Sequence, residues 1–140
     1  MIVLDTNVIS EMMRPKPDNT VLAWLNNQAP NDLYLCAPVL AELRYGIARM
    51  EDSKRKTTLL NLSEKMIRQV FEGRILPFDG PAAEEYGSLV ANRERIGRPI
   101  SIMDAFIAAI AKSNRATLAT RNVSHFRGLD LTLIDPFGSE

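Results

Sequence analysis

Ten consecutive residues in the last third of the chain, Ile102-Met103-Asp104-Ala105-Phe106-Ile107-Ala108-Ala109-Ile110-Ala111, carry a single charge. Helical spacing puts apolar side chains nearly all round such a segment, which predicts a central helix covered on every side. The rest of the chain supplies the cover as short apolar runs alternating with amphipathic ones. Ile2-Val3-Leu4, Leu33-Tyr34-Leu35-Cys36, Thr117-Leu118-Ala119-Thr120 and Leu131-Thr132-Leu133-Ile134 read as strands, and Ile75-Leu76-Pro77-Phe78 as a brief strand at most. Ile2-Val3-Leu4 is fully apolar, as a buried parallel strand is. Helices are predicted from Thr6 to about Met13, stopping before Arg14-Pro15-Lys16-Pro17, and again from Asp18 or Asn19. Others cover Val39 to Met50 with Pro38 at the first helical position, Ser53 to Glu72, Pro81 to Ile96, and Ile102 to Ser113 capped by Ser101. Strands alternating with helices predict an α/β fold, a three-layer α/β/α arrangement in a single domain over 1–140. Its central, mostly parallel sheet is expected to have about four or five strands.

A chain of 140 residues can bury a core without staples. Its one cysteine, Cys36, lies in an apolar run, where a core thiol of a cytosolic protein is expected. Met1 to Leu4 is apolar for too short a stretch to act as a secretion signal, and no run approaches the ~18 residues that span a bilayer. The expectation is a cytoplasmic protein with no membrane partner. Formal net charge is zero, but between Arg44 and Arg74 eight bases face four acids, and Arg93, Arg95 and Arg98 form a second basic group. Such a distribution permits a nucleic-acid partner; it is equally the pattern of solvated helix faces.

Three acids occupy telling positions. Asp5 follows the first strand directly, and ligands of open α/β sheets gather at the carboxyl ends of strands; Asp is equally a good helix N-cap. Glu42, among apolar neighbours, is partly exposed, paired with a base such as Arg49, or coordinating an ion. Asp104 is the lone carboxylate of its apolar helix, and a buried carboxylate costs several kcal/mol unless it is paired or metal-bound. Ser101-x-x-Asp104 also has capping-box spacing. Placed together at one sheet edge, the acids repel one another, and a hard divalent cation with oxygen ligands relieves that. Mg²⁺ needs only one or two carboxylates directly, leaving room for water and a phosphate. Thr120 and Asn122 belong to the same edge. His125, the sole histidine, reads as a surface residue before an anchoring Phe126 or as an acid–base group. No Ser/His/Asp triad, zinc cluster or glycine-rich phosphate loop is recognisable.

Four segments in order resemble the motifs of PIN-domain nucleases: Ile2-Val3-Leu4-Asp5-Thr6-Asn7, Pro38-Val39-Leu40-Ala41-Glu42-Leu43-Arg44-Tyr45-Gly46, Asp104-Ala105-Phe106-Ile107-Ala108, and Ala119-Thr120-Arg121-Asn122-Val123-Ser124-His125-Phe126. The chain is most similar to the VapC/FitB-like toxins of type II toxin–antitoxin modules, including the ending Ile134-Asp135-Pro136-Phe137. The resemblance implies a PIN-like fold and a Mg²⁺-dependent endoribonuclease, with Mn²⁺ a possible substitute. It implies an RNA substrate, a homodimer and a cognate antitoxin that silences the site. Asp5 and Asp104 would be metal ligands, Glu42 a further acidic site residue, and Asn122 stands where the family often has aspartate. Thr6, Thr120 and Asn122 would orient ligands or water at the catalytic site, and Arg44 would hold the RNA backbone. Two rivals are a non-catalytic PIN-like partner-binding domain and an aspartyl-nucleophile phosphatase; the latter usually wants an acid where this chain has Asn7.

Overall fold

The computed structural model describes residues 1–138, so Ser139 and Glu140 of the expected domain lie outside the described residues. The elements are β1 (Ile2–Leu4), α1 (Thr6–Met12), α2 (Asn19–Asn26), β2 (Leu33–Cys36), α3 (Ala37–Ala48), α4 (Lys54–Gln69), β3 (Ile75–Leu76), α5 (Gly80–Arg95), α6 (Ile102–Ser113), β4 (Thr117–Ala119), α7 (Val123–Phe126) and β5 (Leu133–Ile134). The strands form one five-stranded sheet in the order β3-β2-β1-β4-β5, every pairing parallel. The expected "mostly parallel" sheet is thus entirely parallel.

The strand order is what positions the site. β1 lies at the centre, β2 on one side and β4 on the other, so the chain reverses its direction of winding there. A crevice opens at such a switch point, beyond the carboxyl ends of the strands. Register then decides which residues meet. Leu4 pairs with Ala119, so the next residues, Asp5 and Thr120, emerge side by side. The Asp5 N–H donates to the Ala119 carbonyl at 2.9 Å, carrying the β1–β4 pairing up to the crevice.

Val3, Leu4, Leu35, Cys36, Leu118 and Ala119 are fully buried, as strands covered on both faces must be. α6 packs along α5, and its buried Ala105, Ala108, Ala109 and Ala111 alternate with Ile107 and Ile110, letting the backbones approach closely. Its first turn departs from the all-round burial expected: Ile102 is 65% exposed where the helix starts beyond the sheet's edge. Asp104 therefore sits at a mouth, not in the core. Gly97, at φ +69°, turns the chain between α5 and α6 in a conformation L side chains disfavour.

α4 is a surface helix. Of its residues only Ser63 is buried, Leu60 and Leu62 are exposed, and the segment's deep anchor is Phe71, beyond the helix end. α7, one turn long, has no counterpart among the sequence-predicted helices. No helix among the described residues is long and apolar enough to cross a membrane.

Candidate active site

Asp5 is the best-held acid. It caps α1 through its Oδ1, which accepts the Thr6 N–H at 2.8 Å, so the capping expectation is correct. Its Oδ2 does something more: it accepts the Thr120 hydroxyl at 2.7 Å. Thr120 is fully buried, and its Oγ1 accepts the Asn122 N–H at 3.0 Å. The Asn7 side chain ties the same corner, its Oδ1 accepting the Arg121 N–H at 3.1 Å and its amide reaching Asp5 and Thr120 at 3.5 Å. Asn7 is thus a staple between the ends of β1 and β4.

Glu42 comes from the second turn of α3, where the chain turns directly from β2 into helix at Ala37-Pro38. Its Oε1 accepts the Thr6 hydroxyl at 2.6 Å. Arg49 does not pair with it, lying over the Tyr45 ring at 5.7 Å instead. Asp104 rises from the first turn of α6, its N–H donating to Ser101 Oγ at 3.2 Å. Its carboxylate faces His125, with Nδ1 3.3 Å from Oδ2. Ser101 therefore caps α6, while the acid turns outward.

These carboxylates feel one another. The Asp5 carboxyl lies above its ordinary range: burial is the main cause, the Thr120 and Thr6 hydrogen bonds oppose it, and the charges of Asp104 and Glu42 raise it further. The same field reaches the core, where burial, with Asp5 and Glu42 adding to it, pushes the Cys36 thiol up to about 12. Among the described residues no lysine or arginine forms an ion pair with Asp5, Glu42 or Asp104; His125 is the one basic side chain against them. Hard oxygen donors gathered without a balancing side-chain cation are the donor set Mg²⁺ takes. No three acid, histidine or cysteine groups among the described residues converge closely enough to cage an ion by themselves. Mg²⁺ keeps several waters and binds through one or two carboxylates, so the donor set fits it without such a cage.

The other sequence-derived candidates divide. Thr6 and Thr120 each hold a carboxylate by hydroxyl donation. Asn122 stands at the exposed start of α7, its backbone N–H bound to Thr120. Arg44 is drawn away into an ion pair with Glu64 of α4 at 2.9 Å, and Glu64 also meets Arg68. Arg93, grouped by sequence with exposed bases, is 4% exposed. Sequence reasoning undervalued His125: Phe126 is the buried anchor expected, but that anchor also swings His125 onto Asp104. The available signal was position, one turn after a strand end that already carried Thr120 and Asn122.

Comparison with known proteins agrees with the fold. The family model described as PIN domain matches residues 2–130. The chain is 42% identical over 137 residues to "Toxin FitB" of Neisseria gonorrhoeae, covering 98% of this chain and 99% of that protein. It is 43% identical over 137 residues to "VapC ribonuclease Y4jK" of Sinorhizobium fredii, with 98% of each chain covered. Among solved structures, FitAB bound to an IR36 DNA fragment contains a chain that superposes with a TM-score of 0.92 at 41% identity, over 100% of this chain and 98% of that one.

Proposed function

From the premise that the chain belongs to the PIN-domain family, beside FitB- and VapC-type proteins, we propose that it is a divalent-metal-dependent endoribonuclease, the toxin of a toxin–antitoxin pair. The observation that carries the reading is Asp5 at the sheet's switch point, fixed by Thr6 and Thr120, with its pKa raised chiefly by burial and further by the charges of Asp104 and Glu42. The name ribonuclease borne by a relative covered over nearly its whole length supports RNA as substrate.

Asp5 and Asp104 would hold Mg²⁺, or Mn²⁺ in its place. When bound, the ion supplies Lewis acidity toward a phosphodiester oxygen. Thr120 and Thr6 hold Asp5 in one rotamer, so little reorganisation remains to be paid on binding. Glu42, oriented by Thr6, takes the proton of an attacking water as its oxygen bonds to phosphorus and the bond to the leaving ester oxygen breaks. Asn122 orients polar groups at the crevice. Arg44, in its ion pair with Glu64, contributes positive potential near the RNA backbone and not a free hand on it. With Asn122 where an acid is frequent in the family, the site has three carboxylates and suits a single well-held ion.

A second copy and an antitoxin complete the proposal. Ala37, Pro38, Ala41, Phe78, Met103 and Phe106 line an apolar recess of about 310 Å³ between the starts of α3 and α6, and the same two helices expose Tyr45 and Ile102. An uncovered apolar surface of this kind supports dimerisation. The domain is proposed to span 1–140, in the cytoplasm.

The test is incubation of the purified chain with structured and unstructured RNA and with DNA, in Mg²⁺ or in EDTA. Internal RNA cleavage that needs Mg²⁺ is the result expected. Equal cleavage in EDTA, or none under any metal, overturns the reading.

A further inference from the structure

The buried guanidinium of Arg93 has no place in the chemistry described so far, and it is an expensive group to bury. It lies in the last turn of α5, 4% exposed, and among the described residues no carboxylate pairs with it. Its partners are backbone carbonyls: Nη2 donates to His125 O at 2.9 Å and Arg127 O at 2.8 Å, and Nη1 donates to Arg98 O at 3.4 Å. Burial and the neighbouring Arg98 charge both push its pKa down from the ordinary arginine value. A charge removed from water for the sake of three carbonyls indicates that those carbonyls must be held.

The carbonyls belong to segments that cannot hold themselves. α7 is four residues long, a single turn, below the length at which a helix is stable alone. Two of the carbonyls lie at its C-terminal end, where helix acceptors lack partners and positive charge is favoured. The third lies in the α5–α6 connection that leads to Ser101 and Asp104, and the Arg98 N–H returns a bond to the Arg93 carbonyl at 2.9 Å. The segment after β4 is therefore tied at its front by Thr120 and Asn7 and at its back by Arg93. Between the ties lie Asn122 and His125.

We propose that Arg93 is a positioning residue for the acidic site: its guanidinium, clamped on the carbonyls of His125, Arg127 and Arg98, locks α7 to the α5–α6 connection so that His125 stays against Asp104 and Asn122 stays at the end of β4. The inference rests on the ribonuclease reading for its kinetic consequence but not for its structural one. His125, as the only histidine, gives a ring resonance assignable without ambiguity by NMR.

The experiment compares wild type, Arg93→Met, Arg93→Lys and Leu89→Ala, the last a core truncation one turn earlier on the same helix that lowers stability while keeping the guanidinium that donates to the three carbonyls. At one fixed pH, Arg93→Met should move the His125 ring resonance toward that of an unstructured histidine. It should also lower kcat on RNA by roughly tenfold to a hundredfold, the scale of small misplacements, with KM changed less than about twofold. Arg93→Lys, able to reach fewer carbonyls, should fall between, and it carries the test if Arg93→Met does not fold. Leu89→Ala should lower Tm with the resonance and kcat near wild type. The proposal is overturned if both arginine variants keep the wild-type resonance, or if Leu89→Ala reproduces their kinetic loss. A wild type that cleaves no RNA counts against the ribonuclease reading, while the resonance shift still decides the role of Arg93.

Discussion

Removing one hydroxyl, in Thr120→Val, tests how the site is held together. The side chain is fully buried, and valine matches its shape, so the change deletes hydrogen bonds while keeping packing. Three bonds are lost: the 2.7 Å donation to the Asp5 carboxylate, the acceptor of the Asn122 N–H at 3.0 Å, and the long 3.5 Å contact from the Asn7 amide, the weakest of them. A buried hydrogen bond to a charged group contributes about 1.5–3 kcal/mol, and Asn122 at the exposed end can recover part of its loss from water. The sum is about 2–4 kcal/mol, or a Tm lower by roughly 6–12 °C for a chain of this size. The loss also depends on pH. The hydroxyl favours ionised Asp5, so valine raises an already raised carboxyl further, and the destabilisation is complete only above both folded-state values. As pH falls through them the folded protein takes up the proton, and the difference shrinks toward that of a neutral hydrogen bond, about 1 kcal/mol. Thermal unfolding at pH 7.5, with urea unfolding of both proteins at pH 7.5 and near pH 4.5, reads this directly. A Tm change under roughly 2 °C at pH 7.5, or a stability difference that grows toward acid, would refute the reasoning.

Asp5→Asn retains a good N-cap and removes the buried charge. Because the folded Asp5 value lies above the unfolded one, its ionisation costs stability as pH rises through that window, a cost absent below the ordinary carboxylate value of about 3.9. In EDTA at neutral pH the variant should therefore melt higher than wild type, the gap closing toward pH 4, and it should lose the rise in Tm that Mg²⁺ gives wild type by linkage. A variant that melts lower in EDTA while still responding to Mg²⁺ would contradict this. Asn122→Asp adds a carboxylate at the crevice and should lower the Mg²⁺ concentration for half-maximal cleavage several-fold; an unchanged or higher requirement, followed by metal titration of the rate, would place Asn122 away from the ion.

Much of this was legible in the residues because it follows from periodicity and position. The apolar Ile102–Ala111 segment demanded a sheet beside it, and the short apolar runs supplied one. An acid directly after the first strand then had to face the crevice. Thr120 could be placed at the same edge because it ends a strand, and the register with β1 makes it Asp5's hydrogen-bond partner. Side-chain direction was less accessible. Arg44 is two residues from Glu42, which on a helix turns it toward α4 and Glu64. Arg93 looks like its exposed neighbours Arg95 and Arg98, since nothing local announces that two distant carbonyls, of His125 and Arg127, need a donor. α7 is too short to show a period, and with it the approach of His125 to Asp104 stayed hidden. Asp104 itself was expected deeper, because an apolar pattern does not say where a helix clears the edge of its sheet.

The claim at the centre is that Asp5, Glu42 and Asp104 act together on a phosphodiester through a divalent cation. Asp104→Asn probes it most directly, since the half-exposed first turn of α6 tolerates asparagine without loss of packing. Cleavage of a labelled RNA by wild type and variant, in Mg²⁺ and in EDTA, with both Tm values recorded, is the measurement. The account predicts Mg²⁺-dependent cleavage by wild type and loss of at least a hundredfold, about 2.7 kcal/mol of barrier, in a variant that melts within a few degrees of it. Undiminished Mg²⁺-dependent cleavage by folded Asp104→Asn would contradict it.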